Sequence, residues 1–324
     1  MTDIHPTPRL VTVFGGSGFL GRHVVRALAR RGYLVRAAVR RPDLAGHLQP
    51  LGNVGQIHAM QANLRVRWSV DRAVDGADHV VNLVGILFES GRQRFSAVQD
   101  FGARAVAEAA RAAGTRLTHV SAIGADAESE AIYARTKAQG EAAVRETLPD
   151  TAIIRPSIMF GPEDDFFNKF ANMARISPAL PLIGGGVTKF QPVYVGDVAE
   201  AIARDVDGKL APGRTWELGG PDVLTFRECM EKLLEIIDRR RILVSIPWSV
   251  ASLQGKMLGM LPNPLLTEDQ VRLLKSDNVV SQAAMEEGRT LEGIGIRPLS
   301  LDAMLPTFLW RYKIAGQYSR DRIA

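Results

Sequence analysis

The chain has 324 residues, of which 46% are hydrophobic and 23% charged, values that exclude a mainly disordered protein and suit one large α/β domain with an appended part. Its formal charge of +5 rests on arginine, since only eight of the forty basic residues are lysine. There is no continuous basic block and no aromatic-interleaved basic stripe, so nucleic acid is not expected as a partner, and no apolar run approaches the roughly 20 residues of a spanning helix.

Residues 9–14 read as a short buried strand, and apolar residues at helical spacing follow over 19–31 until Gly32. Further strands are expected at 33–39, 57–60, 79–84, 117–121 and 152–155, with helices at 95–113 and 134–148. Strands alternating with helices imply α/β architecture, a doubly wound parallel sheet of Rossmann type. After Gly161-Pro162 the rhythm breaks into loops rich in Pro and Gly, including Gly184-Gly185-Gly186. The chain is therefore divided into residues 1–160, with return segments near 190–220, and a smaller C-terminal lobe over 161–324.

The turn Gly15-Gly16-Ser17-Gly18-Phe19-Leu20-Gly21 joins a strand to a helix. A glycine there lets backbone approach a pyrophosphate, while the amides and dipole of the helix N-terminus attract its charge. The second strand ends in Arg40-Arg41, where an NAD site usually carries an acid for the ribose hydroxyls; paired arginines would instead bind a 2'-phosphate. NADP(H) is favoured over NAD(H), although Asp43 stands two residues further on and keeps NAD open.

Tyr133 and Lys137 lie four residues apart, on one face of a helix. A nearby cation favours a phenolate, so Tyr133 could pass a proton to a carbonyl while Ser121, at the end of the fifth strand, orients it. Cys229, the single cysteine, forms no internal disulfide, which fits a reducing compartment; in Thr225-Phe226-Arg227-Glu228 it follows a capping box and reads as a packed thiol. His23, His47 and His58 show no ligand spacing, and no metal site is expected.

The glycine turn, Tyr133 with Lys137, Asn82-Leu83-Val84-Gly85 and Arg155-Pro156-Ser157-Ile158-Met159-Phe160-Gly161-Pro162 together resemble the extended short-chain dehydrogenase/reductases. Phe166-Phe167-Asn168, Gln191-Pro192-Val193-Tyr194 and the segment 265–278 are similar to the atypical branch that includes the NADPH-binding accessory subunit of respiratory complex I, NADH:ubiquinone oxidoreductase. That resemblance implies that Gly15, Gly18 and Gly21 cradle the pyrophosphate, Arg40 and Arg41 the 2'-phosphate, and Asn63 with Leu64 the adenine. It implies that Val84, Gly85, Tyr133, Lys137 and Pro156 line the ribose and nicotinamide. Ser121 precedes Tyr133 by only twelve residues, closer than in most catalytic members, so Ser121, Tyr133 and Lys137 are either a working catalytic set or its vestige.

The implied partners are the other complex I subunits of the quinone-reducing arm. Residues 248–261, apolar over more than half a helical circumference and preceded by Arg239-Arg240-Arg241, read either as a lipid- or subunit-docking helix or as the cover of a small core. Met1 to Pro6 has the look of neither a signal nor a transit peptide. The chain is accordingly expected at the cytoplasmic face of a bacterial inner membrane, held there through its complex. The alternative is an NADPH-dependent reductase or epimerase-like enzyme of the same family.

Overall fold

A computed structural model describes residues 9–259, 261, 264–314 and 316; Met1 to Pro6 and Met260 lie outside them. The chain runs β1 (Leu10–Phe14), α1 (Phe19–Arg30), β2 (Leu34–Val39), β3 (Ile57–Gln61), α2 (Arg67–Val74) and β4 (His79–Asn82). A short π turn then leads to α3 (Phe101–Ala112), β5 (Arg116–Val120), α4 (Ile132–Thr147) and β6 (Ala152–Pro156). Next come β7 (Met159–Phe160), α5 (Phe167–Ile176), β8 (Ala179–Ile183), β9 (Lys189–Phe190), β10 (Val193–Tyr194), α6 (Val195–Val206) and β11 (Thr215–Leu218). The remainder is β12 (Leu224–Thr225), α7 (Phe226–Ile236), β13 (Ile242–Ile246), α8 (Trp248–Leu258), α9 (Glu268–Leu273), α10 (Gln282–Glu286) and α11 (Leu301–Leu309).

Seven strands form one parallel sheet in the order β11-β6-β5-β4-β1-β2-β3, the doubly wound arrangement the alternating pattern implied. Strand residues alternate between its faces. Phe14, Ala38, Val80 and Leu117 pack with Val70 and Val74 of α2, Val106 and Ala110 of α3 and Val144 of α4 in one buried cluster. Their neighbours Val13, Ala37 and Val81, also buried, face the other way. There Arg31, at the end of α1, pairs with Glu200 at 2.6 Å and Asp207 at 3.2 Å on and after α6. The order of strands reverses between β1 and β4, and the crevice at such a switch point is where ligands of this architecture bind.

The chain divides into two compact units. The first holds residues up to Glu128, Arg135–Arg155 and Val198–Trp216; the second holds Ser129–Ala134, Pro156–Asp197 and the chain from Glu217 on. The Pro/Gly-rich stretch after Gly161, read from sequence as loops, contains α5 and β8 instead. Strand β8 pairs in parallel with β13, Ala179 opposite Ile242 through Ile183 opposite Ile246. Around this pair Phe160, Phe167, Leu180, Phe190, Phe226, Met230 and Phe308 make a second core, with aromatic rings edge-on at 5.0 to 6.1 Å. Cys229 is fully buried in it and its thiol is pushed up to about 12 by burial, the inert packed role read from the sequence. The capping box of Thr225 with Glu228 forms on α7, and Thr267 with Gln270 makes another on α9.

Candidate functional site

The glycine turn connects β1 to α1, and its glycines answer to different constraints. Gly15 adopts φ +79°, which side chains disfavour, and donates its amide to Ala38 O at 3.0 Å. A Cβ at Gly21 would stand 2.2 Å from Gly15 O, and one at Gly16 would stand 3.1 Å from Ala37 Cβ. At Gly18, by contrast, a Cβ would meet only Gly15 O at 3.3 Å, so no packing against the protein demands a glycine there. Gly18 is also the N-cap of α1, without a side-chain cap, and the first turn carries no acid. An uncapped helix N-terminus behind an open glycine, flanked by half-buried Ser17 and Phe19 and buried Leu20, fits a diphosphate.

Arg40 and Arg41 follow β2 and are exposed. Arg41 is engaged by Asp43, with Nη2 to Oδ2 at 2.7 Å and Nε to Oδ1 at 3.1 Å, and the ion pair holds the Asp43 carboxyl below its usual range. The two groups that the sequence set as rivals for a ribose or its phosphate thus hold each other. Arg40 has no ion-pair partner among the described residues. After β3, Asn63 donates its amide to Ser69 Oγ at 3.0 Å, and Leu64 is a core residue that a Cβ at Gly102 would touch at 2.9 Å.

Val84 and Gly85 follow β4, next to β1 in the sheet, and a Cβ at Gly15 would lie 3.4 Å from Val84 Cγ2. Two buried residues hold this loop, Asn82 of the Asn82-Leu83-Val84-Gly85 motif and Gln99, which the sequence did not single out. Asn82 accepts the Val84 amide at 3.2 Å through Oδ1 and pairs through Nδ2 with His119 Nδ1 at 3.2 Å. Gln99 donates to Ile86 O at 2.9 Å and accepts from Thr136 Oγ1 at 2.7 Å, tying the loop to α4.

Lys137, buried on α4, donates to Val120 O at 3.2 Å, and its Nζ is 3.2 Å from where a Cβ at Gly85 would be. Glycine at 85 therefore makes room for the ammonium. Desolvation lowers Lys137 to about 8 despite Glu141. Glu141 is itself clamped by Arg155 at 2.7 and 2.8 Å. Ser121, next to Val120, has a buried Oγ with no hydrogen-bond partner among the described residues.

Helix α4 starts two residues earlier than the pattern implied, so Tyr133 sits in its first turn. Tyr133 and Pro156 belong to the second unit, whereas the glycine turn, Val84, Gly85, Ser121 and Lys137 belong to the first. Burial pushes the Tyr133 phenol up to about 12. The cause is desolvation, which favours the neutral phenol. The Tyr133 amide donates to Asp269 Oδ2 at 2.9 Å and the Ile132 amide to Asp269 Oδ1 at 2.6 Å. A carboxylate from α9 thus caps the helix that carries the tyrosine. Arg272 adds a bond to Glu130 O at 3.2 Å, and Asn278 accepts Ser157 Oγ at 2.8 Å and the Ile158 amide at 2.9 Å. The sequence assigned none of these three a role at the site, although they hold the segments beside Tyr133 and Pro156; their one signal was their place in the segment 265–278.

Residues 11–219 match the NAD dependent epimerase/dehydratase family. The Arabidopsis thaliana protein named NADH dehydrogenase (ubiquinone) 1 alpha subcomplex subunit 9, mitochondrial, is 35% identical over 320 residues, 95% of this chain and 79% of that protein. The ceramide reductase of Caulobacter vibrioides is 35% identical over 328 residues, 97% of this chain and 98% of that protein. An NADPH-dependent quinone oxidoreductase from Escherichia coli, solved with NADPH, shares the fold at a TM-score of 0.71 over 92% of this chain and 98% of that one, with 19% identity. A glycine turn, a Tyr–Lys helix and these matches together assign the chain to the NAD dependent epimerase/dehydratase family, the extended short-chain dehydrogenase/reductases.

Proposed function

We propose that the chain holds NADP(H) on its glycine turn and serves as an accessory subunit of NADH:ubiquinone oxidoreductase, without turnover of its own. It docks by the quinone-reducing arm, peripheral to the membrane, at the cytoplasmic face in a bacterium. What supports the accessory role is the agreement among relatives: proteins named as complex I subunits in plant, rat and fungus are 35%, 36% and 32% identical across 94% to 95% of the chain. A shared glycine-turn half would not account for so long a match. The absence of turnover is supported by the interval of only twelve residues between Ser121 and Tyr133, which leaves little chain to build a substrate wall between them. NADP(H) is supported by Arg40 and Arg41 and by the lack of an acid at the end of β2. On α8, Val250, Leu253 and Met257 expose 44%, 61% and 66% of their surface and supply an apolar stripe for a neighbouring subunit or lipid. A tagged chain purified gently from its native membranes is expected to bring complex I subunits and stoichiometric NADP(H) with it; recovery of the chain alone sinks the reading.

A second reading is supported by Ser121, whose Oγ is buried without a hydrogen-bond partner among the described residues, and by the ceramide reductase relative. Here Ser121 would orient the carbonyl of a ceramide-like lipid, Tyr133 would hold the proton to be delivered, and Lys137 would hold the ribose and assist the phenol. A bound nicotinamide supplies the hydride. NADPH oxidation that depends on such a lipid and is lost in Tyr133→Phe would establish this reading.

A further inference from the structure

A second feature of the distal unit is independent of the nucleotide. Arg239 and Arg241 lie between α7 and β13 near Arg175 of α5, and desolvation, followed by the charges of Arg241 and Arg175, lowers the Arg239 guanidinium. Arg241 Nε donates to Ala174 O at 2.7 Å, and Arg239 Nε donates to Tyr312 O at 2.9 Å, so three separate segments converge here. Arg240 lies between the two and is exposed. None of the four arginines meets a carboxylate at ion-pair distance among the described residues, Asp238 included. Like charges gathered without a counter-ion raise the energy of the surface unless an anion covers it. Beside them Ile176 and Ile242 expose 84% and 68% of their surface, and the two segments are joined by Ile242 N to Pro178 O at 3.1 Å.

We infer that Arg175, Arg239, Arg240 and Arg241, with Ile176 and Ile242, form a docking site for the surface of a bilayer containing anionic phospholipid. Guanidinium groups pair with headgroup phosphates, and the exposed isoleucines enter the boundary between headgroups and acyl chains. An acidic protein surface would answer the arginines alone, whereas a bilayer with anionic headgroups also offers the exposed isoleucines the boundary between headgroups and acyl chains. The site differs from the α8 stripe and holds whether the chain is an accessory subunit or a reductase of a membrane lipid.

The test is sedimentation of the purified full chain with vesicles of phosphatidylcholine alone or doped with phosphatidylglycerol. Binding is expected only to the doped vesicles and is expected to fall steeply with salt. Each arginine at an anionic surface strengthens partition about fivefold, so Arg175→Gln with Arg240→Gln should weaken it on the order of 20-fold. Neither side chain makes a hydrogen bond among the described residues, and the thermal midpoint should stay at the wild-type value. Ile176→Ser with Ile242→Ser should weaken binding while leaving its salt dependence in place. Equal binding to neutral and doped vesicles, or doped-vesicle binding that both double variants keep, overturns the proposal. So does an arginine double variant that binds vesicles normally but loses a protein partner.

Discussion

Replacing Asp269 with alanine removes both acceptors from the first turn of α4. The bond to the Ile132 amide is exposed and that to the Tyr133 amide part-buried, which are worth about 0.5 and about 1 kcal/mol respectively. Loss of a negative charge at a helix N-terminus adds roughly 0.5 kcal/mol. The sum is about 2 kcal/mol, or a Tm lower by about 4–8 °C. Asp269→Asn keeps one acceptor and should fall between. Glu268→Ala removes the neighbouring acid of the same turn, which faces Arg272 at 3.0 Å and Lys256 at 3.6 Å rather than α4, and should cost less than about 1 kcal/mol. Thermal unfolding followed by circular dichroism, with an NADPH titration of each variant, reads the result. If Asp269→Ala melts with the wild type, or if Glu268→Ala melts as low as Asp269→Ala, the cap does not anchor the tyrosine helix.

Gly18→Ala should fold normally yet bind NADPH at least tenfold more weakly by fluorescence titration, whereas Gly21→Ala, with its Cβ 2.2 Å from Gly15 O, should fail to give soluble protein. Asp43→Asn releases Arg41 and should tighten NADPH a few-fold without changing NADH, while Arg40→Glu should weaken NADPH on the order of 10- to 100-fold, both read by competition between the two nucleotides. Lys137 titrates at about 8 when folded against an ordinary 10.5, so between those values the unfolded chain binds more protons and stability must rise with pH. The full rise is about 3 kcal/mol. Tyr133, raised to about 12 from 10, acts in the opposite sense above pH 10, so urea unfolding from about pH 8 to 10 should show the increase and Lys137→Met should abolish it.

The first unit was readable because its signals are local. A strand, a glycine turn and an amphipathic helix occupy neighbouring residues, and period 3.6 or 2 places each buried face. Helix α2 escaped because its eight residues carry two arginines and an aspartate among few apolar positions. Strand β8 was hidden by Pro181, which its place in a two-stranded pair tolerates, and by a partner, β13, that begins 63 residues later. The same holds for the candidate site. Gly15, Gly18, Tyr133 and Lys137 announce themselves by spacing, whereas Asp269 reaches Tyr133 across 136 residues and no periodicity encodes that contact. Arg41 shows a different limit: its residue type suits phosphate, but sequence alone does not say that Asp43 already occupies it.

The chain passes between its two units five times, which bears on synthesis. Strand β6 is complete at Pro156, yet its outer neighbour β11 begins only at Thr215. A growing polypeptide must carry that row of unbonded amides and carbonyls until some 60 further residues have left the ribosome. Fragments that stop near residue 160 should aggregate, and a length extending past Leu218 should be the shortest that closes the sheet.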